Sequence, residues 1–172
     1  MVTDADFKVL DTLYLHVKPD DSDYIVSAQG MACNKIDLVQ HDKMAMPYKQ
    51  AKGELYNFLR RNAAKGSCKL TPVGHGVRGD IDHVLDKLIS WGSWEQHCTY
   101  HYIDTSVVLQ YLRACGKLPM NIDGSVQGLA EYFQIINDSI VLPGASQQWH
   151  DAAFDTKMTA AVYKKMVELG KS

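Results

Sequence analysis

Long hydrophobic runs, paired cysteines and a strong excess of charge of one sign are all missing from this sequence of 172 residues. No apolar stretch reaches the ~20 residues that a membrane-spanning helix needs, and no secretory leader is visible, so we expect no membrane partner. The four cysteines are scattered and include no Cys-x-x-Cys pair. This usage is typical of a reducing compartment, and we expect a cytoplasmic protein. The length and the 46% share of hydrophobic residues predict a single domain over residues 1–172.

The charge balance excludes one class of nucleic-acid binder and leaves another open. A formal net charge of −2 excludes a protein that coats nucleic acid through bulk positive charge. Positive charge is nevertheless concentrated between residues 43 and 78, where Glu54 is the single acidic residue. The basic residues of that segment are Lys43, Lys49, Lys52, Arg60, Arg61, Lys65, Lys69 and Arg78. They form either a patch that follows a phosphate backbone or a solvated helix face followed by a loop.

Apolar spacing predicts strands and helices that alternate along most of the chain. β-Branched and large apolar residues predict strands at 8–17, 24–26, 70–74 and 100–103. Helical periodicity predicts helices that begin at Pro47, near Ile81, at Thr105, after a capping Ser125, and at Ala152. The predicted fold class is therefore α/β, with a mixed sheet flanked by helices.

Two carboxylates interrupt the apolar pattern of their helices. Asp80 precedes Val84 by four residues, and Asp155 precedes Met158 by three and Val162 by seven. This spacing predicts that both carboxylates lie on the buried face at the start of a helix. A carboxylate in such a position must be neutralised, hydrogen-bonded or bound to a metal ion. The structural alternative is an Asp that interacts with the free amides and the dipole of the helix terminus.

The residues around these two acids resemble the motifs of the DEDDh-type (DnaQ-like) 3′-to-5′ exonucleases. The segment Val73-Gly-His-Gly-Val-Arg-Gly-Asp80 is similar to the family's middle motif, and His150-x-Ala-x-x-Asp155 is similar to its third motif. Further likeness lies in Tyr102-Ile-Asp-Thr, in Ser125-Val-Gln-Gly-Leu-Ala, and in Ala32-Cys-Asn-Lys-Ile-Asp-Leu38 followed by His41. The middle motif departs from the family pattern at Gly76, where Asn is common, and at Gly79, where a bulky apolar residue is common.

The resemblance implies an RNase H-like fold and phosphodiester hydrolysis by a two-metal mechanism. Asp80 and Asp155 would be metal ligands, and His150 would be the general base that activates water. Two Mg²⁺ or Mn²⁺ ions are expected in a complete site, because carboxylate oxygens and phosphate suit these hard cations. The expected substrate is the single-stranded 3′ end of DNA or RNA. The choice between DNA and RNA, the biological pathway, the oligomeric state and the protein partners stay open.

The family's first motif, Asp-x-Glu on a central strand, does not occur in this sequence. Asp4-Ala-Asp6 imitates its spacing, but no buried apolar run surrounds it. The resemblance therefore predicts a sheet without its first, central strand and little nuclease activity from this chain alone. A preceding segment of about 20 to 30 residues, the length of a strand and a turn, would supply the missing carboxylates.

Two other functions remain open at the level of sequence. The first is a zinc site at His97-Cys98-x-x-His101, with His75 or His83 as a further ligand. The second is a catalytically inactive nucleic-acid-binding or scaffolding module that keeps the exonuclease fold. Tyr48, Trp149 and Phe154 are candidate platforms for terminal bases, with core packing as the alternative for Phe154.

Overall fold

A computed structural model describes residues 1–21, 23–63, 69–135 and 151–171. Within these ranges the protein has a mixed α/β fold, which confirms the predicted fold class at this coarse level. The strands are β1 (Val2–Thr3), β2 (Val9–Asp11), β3 (Val73–Gly74) and β4 (Ile103–Asp104). The helices are α1 (Ala28–Asn34), α2 (Leu38–Met44), α3 (Tyr48–Asn62), α4 (Val77–Lys87), α5 (Trp91–Trp94), α6 (Thr105–Ala114), α7 (Val126–Tyr132) and α8 (Ala152–Lys171).

The described strands form two separate two-stranded sheets. β1 and β2 are antiparallel, and the Asp4 carboxylate supports the turn between them by accepting hydrogen bonds from the amides of Asp6 and Lys8 at 3.0 and 2.9 Å. Asp4-Ala-Asp6 is therefore a turn. β3 and β4 are parallel, with Val73 opposite Ile103. Parallel pairing requires a long connection, which α4 and α5 supply here.

The predicted strands are longer than the observed ones. The strand expected over 8–17 is reduced to β2, followed by one isolated parallel bridge between Val17 and Met46. The strand expected over 24–26 is wrong, since these residues form no strand. The Tyr24 hydroxyl instead contacts His41 Nδ1 at 3.3 Å and donates to Asp42 at 3.2 Å. Side-chain contacts therefore hold this segment where a β-ladder was expected.

The predicted helices are confirmed where the apolar period is long. α3 begins after Pro47, and α6 covers the predicted residues 105–114. α7 begins after Ser125, whose hydroxyl accepts from the Gly128 amide at 3.0 Å. The segment 32–38, which resembles the loop before the first helix of the exonuclease family, instead lies mostly in α1 and α2, which are capped by Ser27 and Asp37. Side-chain capping explains these short helices, because each cap satisfies amides that would otherwise lack a partner.

The buried side chains form two apolar clusters. The first joins α6, α7 and α8 through Leu109, Leu112, Leu129, Met158 and Val162. The second joins α3, α4 and α5 through residues that include Phe58, Ile81 and Trp94. α8 also packs against β3, so the last helix bridges the first cluster and the parallel strand pair. No helix among the described residues is long and apolar enough to cross a membrane.

Candidate active site at the ends of β3 and β4

The carboxyl ends of the parallel strands are tied together by side chains. The Gly76 amide donates a hydrogen bond to Asp104 Oδ1 at 3.0 Å. His75 Nδ1 lies 2.9 Å from the hydroxyl oxygen of Thr105, which is fully buried. One shared set of hydrogen bonds therefore holds both the turn from β3 into α4 and the junction of β4 with α6. Ligand sites in α/β proteins commonly lie at such strand ends, where helices begin.

Asp104 is the N-cap of α6 as well as the link to β3. Its Oδ1 also accepts hydrogen bonds from the amide and the hydroxyl of Ser106, at 2.9 and 2.6 Å. Burial by itself would raise the pKa of Asp104. The contacts from Ser106 and Gly76, with the nearby His75 ring, outweigh burial and leave the pKa of this carboxyl lowered. Asp104 is thus an ionised carboxylate at neutral pH whose hydrogen bonds hold the strand ends together.

Gly76 gives the chain its sharp turn into α4. Its φ of +69° lies in the left-handed region, which glycine adopts at little steric cost. Asn is the side chain that tolerates this region best. An Asn at this position, as in the exonucleases that the sequence resembles, would therefore be compatible with the backbone. A Cβ added at Gly79 meets nothing within 4 Å, so the absence of a bulky residue there leaves open space.

Asp80 lies in the first turn of α4, but its predicted burial is wrong. Val77 and Ile81 are the buried residues of this helix, and Asp80 is exposed. Each step of four residues drifts ~40° around an α-helix. The apolar stripe through Val77, Ile81 and Val84 is therefore centred ~70° away from the Asp80 side chain. The carboxylate remains on the solvent side of the helix start.

Asp155 lies in the first turn of α8 and is half-buried. Asp151 caps this helix, since its Oδ1 accepts from the amides of Ala153 and Phe154, each at 3.0 Å. Burial, followed by the charge and the hydrogen bond of Asp151, raises the pKa of Tyr14. The Tyr14 hydroxyl therefore keeps its proton and binds the capping carboxylate. Asp151 and Tyr14 were not predicted as site residues, although an Asp directly before an Ala-Ala-Phe helix start is a capping signal.

Two contacts orient α8 relative to the parallel strands. The Lys117 ammonium donates to the carbonyl of Leu169 at 3.3 Å, so the last turn of α8 lies beside the far end of α6. α6 is ~15 Å long at 1.5 Å per residue, and it starts at the end of β4. α8 also contacts β3, and Asp155 lies in the first turn of α8.

A shallow pocket opens beside the start of α4. Arg78 and Ile81 line it from the helix, and Trp91, Tyr100 and Tyr102 line it from the following segments. Trp91 is 51% exposed, and Tyr100 is 73% exposed with its ring packed on that of His101 at a centroid distance of 3.8 Å, so Trp91 offers the open aromatic surface. The Arg78 guanidinium is held in place by Asp82 at 2.8 Å. Flat aromatic faces beside a guanidinium are suited to contact with a nucleobase.

Other predicted site residues have different outcomes. His150 and Trp149 lie outside the described residues. Phe154 is 3% exposed and belongs to the core, so it offers no platform for a base. Tyr48 is half-buried at the start of α3.

The described residues contain no group of three or more His, Cys, Asp or Glu side chains arranged to hold a metal ion. Among them, His97, Cys98 and His101 are not arranged as such a group. Burial raises the pKa of the Cys98 thiol to about 11, which disfavours the thiolate that zinc binds. The Nε2 atom of His97 is buried without a hydrogen-bond partner in the described residues.

Comparison with known proteins adds no relative: no protein-family model, no curated protein and no solved structure matches this chain.

Proposed function

We propose that this chain is a domain of a metal-dependent 3′-to-5′ exonuclease of the DEDDh type, acting on the single-stranded 3′ end of DNA or RNA. One observation carries the proposal. The parallel strands β3 and β4 end close to where α4 and α6 begin, α4 contacts β4, and α8 contacts β3. Asp80 and Asp155 occupy the first turns of α4 and α8. Two carboxylates in the first turns of helices that contact the same strand pair would supply half of a two-metal phosphodiesterase site.

The division of the strands into two pairs also supports the proposed RNase H-like fold. Among the described residues, β1 pairs with β2 alone and β3 pairs with β4 alone. One edge of each pair thus has no partner strand in the described part of the chain. An RNase H-like sheet with its central strand taken away would leave two such pairs. An added strand with Asp-x-Glu would pair with both open edges and bring its carboxylates to the ends of β3 and β4.

The donor set fits magnesium or manganese. Mg²⁺ is usually held by one or two carboxylates together with water and substrate phosphate, and the exposed Asp80 leaves room for both. Asp80 and Asp155 would hold the ions, which when bound neutralise the scissile phosphate and polarise the attacking water. His150 would accept the proton of that water. Asp151 and Tyr14 position the start of α8, and the exposed ring of Trp91 offers a surface for an unpaired base.

The direct test is degradation of a single strand labelled at its 3′ end, as DNA and as RNA, with Mg²⁺, with Mn²⁺ and with a chelator. We expect weak hydrolysis by the chain as given and strong hydrolysis when a strand with Asp-x-Glu is fused before Met1. Asp80→Asn and Asp155→Asn in the fused form should each lower the rate at least 100-fold, an estimate from the loss of a metal ligand. Asp86→Asn is the matched control, because Asp86 lies on the same helix and forms its ion pair with Lys87 on the surface.

A binding or scaffolding module is the second candidate, and the absence of Asp-x-Glu from the sequence favours it. Such a module would bind the labelled strand and leave it intact, in both the chain as given and the fused form. Binding without hydrolysis in all metal conditions would therefore reject the exonuclease and support the module. In that case Asp80→Asn and Asp155→Asn should leave the affinity for the labelled strand unchanged.

A further inference from the structure

The structure separates the eight basic residues of the segment 43–78 into two groups. Three of them have partners: Arg61 binds Asp11, Arg78 binds Asp82, and the Lys69 ammonium donates to a backbone carbonyl. Lys65 lies outside the described residues. The other four are exposed and have no acidic partner within 4.0 Å among the described residues. These four are Lys43, Lys49, Lys52 and Arg60.

Three of these four cations share one face of α3. At ~100° per residue, Lys49, Lys52 and Arg60 fall within an arc of ~80°, and Tyr56 falls inside the same arc. The buried face adjoins this arc: Leu59 lies ~20° beyond Lys52, whereas Ala51 and Phe58 lie ~100° or more beyond it. Glu54, the one acid of α3, lies more than ~90° from every cation of the arc. We name Lys49, Lys52, Tyr56 and Arg60 the α3 basic strip.

The strip is uninterrupted and partly rigid. Gly53 lies ~20° outside the arc, beyond Arg60, and a Cβ built at Gly53 meets nothing within 4 Å. The helix surface beside the strip is therefore low and open. The Tyr56 ring, 36% exposed, packs edge-on against the buried His97 ring with centroids 5.3 Å apart. An aromatic ring held in this way can stack with a base without losing rotamer freedom.

We propose that the α3 basic strip is a second nucleic-acid contact surface, which binds the phosphates of a single strand while Tyr56 stacks with one of its bases. The strip spans ~16 Å along the helix, which is enough for about four phosphates at the ~3.4 Å spacing of a stacked strand. The choice of nucleic acid as the polyanion rests on the proposed function. An anionic membrane surface is the other polyanion, but a helix that lies on lipid needs an apolar face free to insert. The apolar face of α3 is in the core.

The test is binding of fluorescein-labelled single-stranded DNA and RNA of roughly 20 nucleotides, measured by anisotropy in a chelator so that hydrolysis cannot occur. The strip variant is Lys49→Gln/Lys52→Gln/Arg60→Gln. The matched control is Lys8→Gln/Lys164→Gln/Lys171→Gln, which removes the same charge from exposed positions elsewhere. Since each phosphate contact contributes ~0.7 to the slope of log K against log salt, the strip variant should lower that slope by about 2. It should also bind ~10-fold or more weakly at low salt, and the control should stay close to the original protein.

Two further variants separate charge from folding. Lys49→Arg/Lys52→Arg keeps the positive charge and should keep the slope of log K against log salt. Tyr56→Ala should weaken binding and leave that slope unchanged. Equal binding by the strip and control variants would overturn the proposal, as would binding to phosphatidylserine vesicles in place of the oligonucleotides. Binding that depends on the strip without hydrolysis in any metal condition would reject the exonuclease and retain this surface. Metal-dependent hydrolysis together with an unaltered affinity of the strip variant would reject this surface and retain the exonuclease.

Discussion

The carboxylate of Asp104 accepts a hydrogen bond from the backbone amide of Gly76 at 3.0 Å, and this contact ties the end of β4 to the turn that follows β3. The two residues are far apart in the chain, yet one carboxylate serves both the strand pair and the start of α6. Any ligand that binds at the strand ends therefore meets a backbone that is already held in place. Asp104 and the contact between His75 and Thr105 together hold this corner.

Replacement of Asp104 tests its part in holding this corner. Asp104→Ala removes the cap of α6 and leaves the Gly76 amide without its acceptor, so we expect a loss of about 1–2 kcal/mol in the free energy of unfolding. Asp104→Asn should lose less, because Asn also caps helices. The measurement is urea unfolding followed by circular dichroism. Asp82→Ala is the control on a neighbouring helix, and an equal loss in the control would contradict the role given to Asp104.

Two substitutions of Gly76, by Ala and by Asn, should differ in their effect on the free energy of unfolding. Its φ of +69° strains an Ala side chain, so Gly76→Ala should destabilise the fold by about 1 kcal/mol, whereas Gly76→Asn should cost less. Gly79→Ala provides the opposite control, because this helical glycine has open space around it. The Ala variant should be more stable to unfolding by roughly 0.5–1 kcal/mol. Thermal unfolding of the three variants measures the order. If Asn costs more than Ala at position 76, the conformational argument is wrong.

The pair of Asp11 and Arg61 should give a stability that depends on acid pH. The hydrogen bond from the Arg61 guanidinium at 2.6 Å, with a second from Asn62, lowers the pKa of Asp11 from 3.8 to about 2. The folded state therefore binds fewer protons than the unfolded state between these two values. The contribution of the pair is present above the unfolded pKa and is lost as the pH falls through about 2.

Arg61→Gln should move the pKa of Asp11 back toward its ordinary value. Carbon NMR titration of the carboxyl group measures this shift. Unfolding measurements near neutral pH should find Arg61→Gln less stable than the original protein, with the difference gone at about pH 2. Arg60→Gln is the adjacent control, because Arg60 has no ion pair in the described part of the chain. A difference that persists unchanged in acid would show that Arg61 acts through packing on Phe58 instead.

The two described free cysteines should differ in reactivity. Cys98 is 2% exposed, and burial raises the pKa of its thiol to about 11, whereas Cys115 is exposed. Iodoacetamide at neutral pH should therefore label Cys115 and leave Cys98 intact until the protein is unfolded. Peptide mass spectrometry after timed labelling gives both rates. Equal rates in the folded protein would mean that the Cys98 region opens readily, and Cys115→Ser controls for the assignment of the fast site.

The sequence alone could predict the helices with long apolar periods, but it could predict little of the sheet. α3, α6 and α8 each have an apolar stripe and a recognisable start, which are local signals. β3 and β4 are two residues long, so neither carries enough alternation to reveal its length or its partner. For the candidate site, sequence could name Asp80 and Asp155 through the resemblance. It could not name Asp151 with Tyr14, because they meet only after α8 has packed.

The sequence by itself determined which residues start helices, because capping and helical period depend on neighbours within one or two turns. It also determined that acids stand in the first turns of α4 and α8. Only the tertiary structure decided that β3 lies parallel to β4, that α8 packs against β3, and that Asp80 faces solvent while Asp155 is half-buried. Those outcomes depend on contacts between residues distant in the chain, where burial of the apolar stripes sets the rotation of each helix.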